Sequence, residues 1–186
     1  MKATQQLRDE HEGVLLMLNI LEQVCMQLNE DGRLNREHFE GILDFLKGFV
    51  DKCHHGKEED LLFPALIAAG APKDGPIVVM LRDHQTGRDF IKAMSEGYFS
   101  FKAGENVNAK SIIQNAKVYI ALLRGHIDKE NSILFAMADK LLSEEKQDEL
   151  YEGFEKIEDE RIGIGRHEEY HGLLGKLNEI YLEKAE

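Results

Sequence analysis

The sequence predicts an all-α protein: an antiparallel up-down-up-down four-helix bundle with two additional C-terminal helices. Three observations carry this. Only three of the 186 residues are proline, and 42% are apolar against 31% charged, with Leu, Glu, Lys, Ala and Ile filling the long stretches. Breaks at Asn29 to Gly32, Gly70 to Pro76 and Lys102 to Asn106 cut the chain up to Leu142 into four long segments, each with apolar residues at helical steps. His126-x-x-x-Glu130 followed by Leu134-Phe135 repeats the earlier His54-x-x-x-Glu58 followed by Leu62-Phe63, and a lone histidine, His11 or His84, precedes each copy.

The first helix, near residues 4–28, aligns Leu7, His11, Val14, Leu18, Leu21, Cys25 and Leu28 on one face. The second, near 35–69, aligns Leu43, Leu46, Val50, His54, Glu58, Leu61 and Ala65. Pro76 opens a third helix near 76–102 with Ile77, Leu81, His84, Ile91, Met94, Tyr98 and Phe101 inward. The fourth, near 108–142, is the cleanest: Ile112, Ala116, Tyr119, Leu123, His126, Glu130, Ile133 and Met137. Residues 1–142 thus form the bundle domain. Residues 143–186 form a helical extension expected to pack on it, with Ser143 capping one helix that buries Leu150, Phe154 and Ile157. After Gly163 and Gly165 a last helix carries His167, Tyr170, Leu174, Leu177 and Tyr181 on one stripe.

Short connections make sequential helices antiparallel, so distance along the chain places the ligands. The stretch from His11 to the end of its helix at Asn29 is as long as the stretch from Arg36 to His54. At a rise of about 1.5 Å per residue both histidines lie about 27 Å from the same turn. The second half repeats this, and all four histidines reach one level of the bundle.

Histidine and glutamate four apart on a helix stack one above the other. Two such pairs, with one histidine from each remaining helix, converge as four imidazoles and two carboxylates. That set suits two metal ions, with two histidines for each, Glu58 and Glu130 as bridges, and an oxo or hydroxo group completing the bridge. A buried layer of merely hydrogen-bonded groups is the alternative, but each unpaired polar group would cost about 1–3 kcal/mol. Imidazole and carboxylate ligands suit iron, with zinc or manganese also compatible.

His11, His54-x-x-x-Glu58, His84 and His126-x-x-x-Glu130, with Glu58-Glu59-x-x-Leu62-Phe63-Pro64, resemble the hemerythrin-like (HHE cation-binding) family over residues 5–140. The resemblance implies a non-haem di-iron centre in a four-helix bundle that reacts with oxygen, peroxide or nitric oxide. Oxygen carriers of this family have a fifth histidine one turn beyond the lone histidine of the third helix. Arg88 stands there, which aligns the chain with four-histidine bacterial relatives and favours chemistry at the metal, in oxidative or nitrosative defence, over reversible carriage. An oxygen or iron sensor without turnover and an iron store are the rival expectations.

Further ligand candidates stand beside this set. His55-x-x-x-Glu59 has the same spacing as His54-x-x-x-Glu58, but Leu62-Phe63 fixes the register on His54. His55 and Glu59 are therefore expected to be solvated or to flank the site, with His55 open to a ligand role. His167 has the inward phase to supply another histidine, or with Glu168 or His171 to cover the open end of the site. Cys53, beside His54, is expected not to bind metal, and Tyr98 and Tyr119 are expected in the core.

With 23 basic and 35 acidic residues the net charge is −12, which argues against nucleic acid and anionic lipid partners and leaves a small diatomic or peroxide ligand as the expected partner. Two cysteines without a paired spacing, no signal-peptide pattern and no membrane-length apolar run point to the cytoplasm.

Overall fold

A computed structural model describes residues 2–102 and 108–183, so Ala103 to Asn106 of the third expected break lie outside the described residues. The described residues form helices without strands. Helix α1 is Ala3–Asp31, α2 spans 36–68, α3 is Pro76–Lys102, α4 spans 108–141, α5 is Glu144–Arg161 and α6 is Arg166–Tyr181. Asn35 and Ser143 start α2 and α5 by accepting hydrogen bonds from the backbone N–H of His38 and Lys146, at 3.1 and 3.2 Å. Among the described residues, no helix is long and apolar enough to cross a membrane.

The apolar residues of the bundle fall into two clusters on either side of a polar layer. One contains Val14 to Leu28, Phe39 to Val50, Ile91 to Tyr98 and Ile112 to Ile127. The other contains Leu7, Leu62 to Leu66, Ile77, Met80 and Leu134 to Ala138. Between them, at one level on four antiparallel helices, lie His11, His54, His84 and His126. Leu150 and Phe154 of α5 join the second cluster, and Tyr170, Leu174, Leu177 and Tyr181 of α6 join the first. The C-terminal helices therefore pass the polar layer on the outside and extend both cores.

They do so along α1 and α2. Gly48 on α2 makes the close approach possible: a Cβ there would collide with the phenol oxygen of Tyr170. The turn between α5 and α6 uses Gly163 and Gly165, at φ 96° and 81°, backbone that a side chain would strain.

Several expected inward positions are corrected. Leu81 and Ile133 are 41% and 51% exposed, and Leu61 is only partly buried, whereas Met80, Leu134 and Leu62 are buried. On α2 and α4 the cause is a π turn, with i→i+5 hydrogen bonding, over Glu58–Leu62 and Glu130–Leu134. Each π turn accommodates one extra residue and moves the stripe that follows by one position. A longer π segment, Leu46–His55, precedes the first of these. On a regular α-helix the four-residue steps Leu46, Val50, His54 and Glu58 would drift by about 40° each. Wider turns keep these side chains facing the bundle.

Candidate metal centre

The Nε2 atoms of His11 and His54 lie 3.0 Å apart, and those of His84 and His126 lie 3.0 Å apart. Glu58 and Glu130 reach across both pairs. Glu58 lies 3.9 Å from His54 Nε2 and 3.4 Å from His84 Nε2. Glu130 lies 3.0 Å from His126 Nε2, 3.3 Å from His11 Nε2 and 3.9 Å from His84 Nε2. Ligand atoms of His11, His54, Glu58 and Glu130 come within 4.8 Å of one another, as do those of Glu58, His84, His126 and Glu130. These two groups share both glutamates, the arrangement of two neighbouring cation positions with common carboxylates.

The outward ring nitrogens explain why the inward ones are free to bind. His54 Nδ1 is 2.7 Å from Glu10 Oε2, His84 Nδ1 is 2.7 Å from Glu59 Oε1, and His11 Nδ1 is 2.9 Å from Asn131 Oδ1. Each of these oxygens accepts, which places the ring proton on Nδ1 and turns the Nε2 lone pair inward. The lone pairs of His11 and His54, facing each other at 3.0 Å, repel unless a cation lies between them; at His126 the Nδ1 has no hydrogen-bond partner to fix the ring proton there. Nitrogen atoms bound at about 2.1 Å and about 90° to one ion would also stand about 3.0 Å apart. All four oxygens of Glu58 and Glu130 are buried without a hydrogen bond of good geometry, so the donor set fits a metal pair.

Electrostatics point the same way. Burial opposes charge on Glu130, but the closeness of the His11, His126 and His84 rings outweighs that and holds it well below the usual carboxyl range. Burial likewise opposes a proton on His84, yet contacts with Glu130, Glu58 and Glu59 push its pKa up to about 11. The carboxylates demand positive charge in this layer, which protons on the rings or metal ions that displace them can supply.

Around these six side chains a second set repeats with the same spacing, of which the sequence reading named Glu59 and the two phenylalanines but missed Glu10, Asp83, Lys57, Lys129 and Asn131. Glu10 and Asp83 each precede a lone histidine, Lys57 and Lys129 each precede a glutamate, and Glu59 and Asn131 each follow one. Lys57 donates to Glu10 at 2.5 Å and Lys129 to Asp83 at 2.6 Å. Glu59 supports His84, and Asn131 supports His11. The paired phenylalanines complete the pattern. Phe135 stacks on His11 at 5.4 Å and Phe63 on His84 at 5.9 Å between centroids. Extending the repeat to residues flanking each ligand would have found these groups from the sequence.

His55 departs from the symmetry. Rather than being solvated it is 3% exposed, stacked on His84 at 3.8 Å between centroids, and close enough to His84 and His126 for the three to share an ion. Its counterpart in the repeat is Ile127. Glu59 flanks the site as expected. Arg88 does not point at the metal positions; it donates to Asp51 and Glu59, at 2.6 Å each.

The C-terminal candidates stand outside the layer. Glu168 and His171 are exposed and belong to none of the ligand groups found among the described residues. His167 is half-buried and groups with Glu10 and Glu158, but the Lys57 ammonium already binds both carboxylates. Cys53 is buried and in none of the groups, and burial pushes its thiol up to about 12. Tyr98 and Tyr119 are buried in the apolar core, with the Tyr98 hydroxyl donating to Glu40.

Comparison with known proteins agrees with this geometry. The chain is 24% identical over 162 residues to uncharacterized proteins of Mycobacterium bovis and Mycobacterium tuberculosis, an alignment covering 87% of this chain and 63% of theirs. It therefore spans less than two thirds of the length of those relatives. No solved structure matches it. The model of the hemerythrin HHE cation binding domain matches residues 2–138, which takes in all four bundle helices with His11, His54, Glu58, His84, His126 and Glu130; the chain belongs to this family.

Proposed function

We propose that the protein is a non-haem di-iron protein that reacts with oxygen, peroxide or nitric oxide. One ion is held by His11 and His54, the other by His84 and His126, with Glu58 and Glu130 shared. The observation that carries this is the sharing of both buried glutamates by two histidine pairs. Imidazole and carboxylate donors together suit iron, with manganese or zinc compatible on ligand type.

Iron ions bound there would supply the electrons that reduce oxygen or peroxide. The residues around them exclude water. Val14, Val50, Leu123 and Ile127 close an apolar vault over His11, His54, His55 and His126, too tight for a water molecule. Such an apolar lining keeps bulk water away from this side of the layer. For the compartment we infer the cytoplasm, in keeping with the unpaired thiols of Cys25 and Cys53.

The test combines metal analysis with rapid mixing. Protein purified anaerobically should hold close to two ions per chain, predominantly iron. Mixed with oxygen, the reduced centre should oxidise and consume peroxide on further addition. A folded protein with one tightly bound zinc ion would overturn the di-iron reading. Recovery of the reduced spectrum on argon purging, without peroxide turnover, would favour the sensor reading, which the contact of α5 with Lys57 beside the site supports.

A further inference from the structure

The two halves of the repeat differ in what lies behind their lysines. Lys129 is 40% exposed, pairs with Asp83, and Asp83 stays 3.7 Å from the Nδ1 of His126. Lys57 has no exposure at all. It joins Glu10, which holds His54 Nδ1 at 2.7 Å, to Glu158 of α5 at 3.0 Å. Glu158 in turn meets His167 Nδ1 of α6 at 3.1 Å. The ring of His167 is fixed by stacking on Phe49, at 5.2 Å and 10°. A continuous chain of polar contacts, His54, Glu10, Lys57, Glu158 and His167, thus runs from the metal layer to the turn between the C-terminal helices.

A buried lysine with one carboxylate partner has donors left over, and a buried carboxylate shared between an imidazole and an ammonium is sensitive to where the ammonium sits. Glu158 shares the Lys57 ammonium with Glu10, and so determines how much of the Glu10 charge remains for His54. We propose that Glu158 and His167 are positioning residues for the metal centre, through which the C-terminal helices fix the orientation and donor strength of His54. The inference rests on the two-ion reading above. It assigns the C-terminal extension to one half-site only: the ion of His11 and His54 depends on it, and the ion of His84 and His126 does not.

The test follows iron release from the anaerobically loaded full-length protein to a ferrous chelator, together with the reduction potentials. Glu158→Gln keeps the shape of the side chain and removes its charge; His167→Phe keeps the stack on Phe49 and removes the Nδ1 contact. Loss of the group that directly supports a metal-bound histidine costs about 10–100-fold in affinity; Glu158 and His167 act through Glu10, so release of one ion should accelerate about fivefold in both variants, with the other within about twofold of wild type. Glu158→Gln should also raise the potential of the affected ion, because a nearby negative charge is lost. Glu10→Gln should accelerate the same phase further. Asp60→Asn is the control: it breaks the exposed pair with Arg161 that ties the same helix α5 to α2, without touching Lys57, and should leave both phases unchanged. Wild-type release of both ions from Glu158→Gln and His167→Phe would overturn the inference, as would equal acceleration by Asp60→Asn. Wild-type protein that cannot hold two ions would instead overturn the two-ion reading, and this inference with it.

Discussion

The ring of Phe63 lies nearly parallel to that of His84, with 5.9 Å between centroids and 19° between planes, although the two residues come from different halves of the repeat. Phe135 and His11 repeat the relationship. Glu59 and Asn131 cross between halves as well, to the Nδ1 atoms of His84 and His11. Each half therefore supplies a lone histidine that the other half holds in place.

Replacing Phe63 by Leu should consequently be felt most at His84. Volume is largely kept, so the loss of stability should stay below about 1.5 kcal/mol. The ion held by His84 and His126 should be released faster than in wild type, while the ion of His11 and His54 is spared. Chelator release kinetics with thermal unfolding check this, and equal acceleration of both ions would contradict it.

Removal of a shared carboxylate should behave differently. Glu58→Ala or Glu130→Ala leaves both cation positions without a ligand, so metal content should fall from about two ions to below one per chain. Glu59→Ala removes a support of one histidine and should retain most metal, with affinity reduced about tenfold. Metal analysis of the three variants decides; an emptied Glu59→Ala beside an intact Glu58→Ala would place the ligand register one residue later.

The acid stability of metal-free protein should report on Glu10. Burial would raise its pKa, but the hydrogen bond with His54 and the charge of Lys57 outweigh this and lower it from the ordinary 4.5 to about 2. A carboxyl depressed in the folded state stabilises fully above its unfolded value and loses that contribution as pH falls toward the folded one. The advantage of wild type over Glu10→Gln, on the order of 3 kcal/mol near neutrality, should therefore shrink between about pH 4.5 and pH 2. Chemical denaturation across that range measures it. A difference independent of pH would exclude the charge of Glu10 as its source.

Gly48→Ala should destabilise the fold by about 1–3 kcal/mol, because the new methyl overlaps the Tyr170 hydroxyl and the helix backbone cannot easily retreat. Combination with Tyr170→Phe, which removes the nearest atom, should recover part of the loss. Melting temperatures of the single and double variants test both statements.

The helices and the meeting of the four histidines at one level are legible in the sequence because apolar and ligand residues share one helical stripe and the connections are short. Leu61, Leu81 and Ile133 are not. For Leu61 and Ile133 the reason is physical: a regular helical period cannot register the extra residue that each π turn absorbs. His55 is hard to place because a neighbour of a ligand on a regular helix points about 100° away, whereas the wide turns of Leu46–His55 let adjacent histidines both reach the interior. Glu10 and Lys57 escape notice because charged residues beside ligands look like a solvated face. Only the fold shows Lys57 closed over by α5.

The π turns starting at Glu58 and Glu130 also bear on how such a chain can arise. Both copies carry the distortion at the same place, directly after the His-x-x-x-Glu pair, so it goes with the repeated unit and its ligand pair. A helical hairpin bearing one histidine, one His-x-x-x-Glu and that widened turn could meet an identical hairpin across a twofold axis and close the whole ligand layer. Covalent fusion would then free each copy to diverge, as His55 opposite Ile127 and the burial of Lys57 opposite the open Lys129 now record.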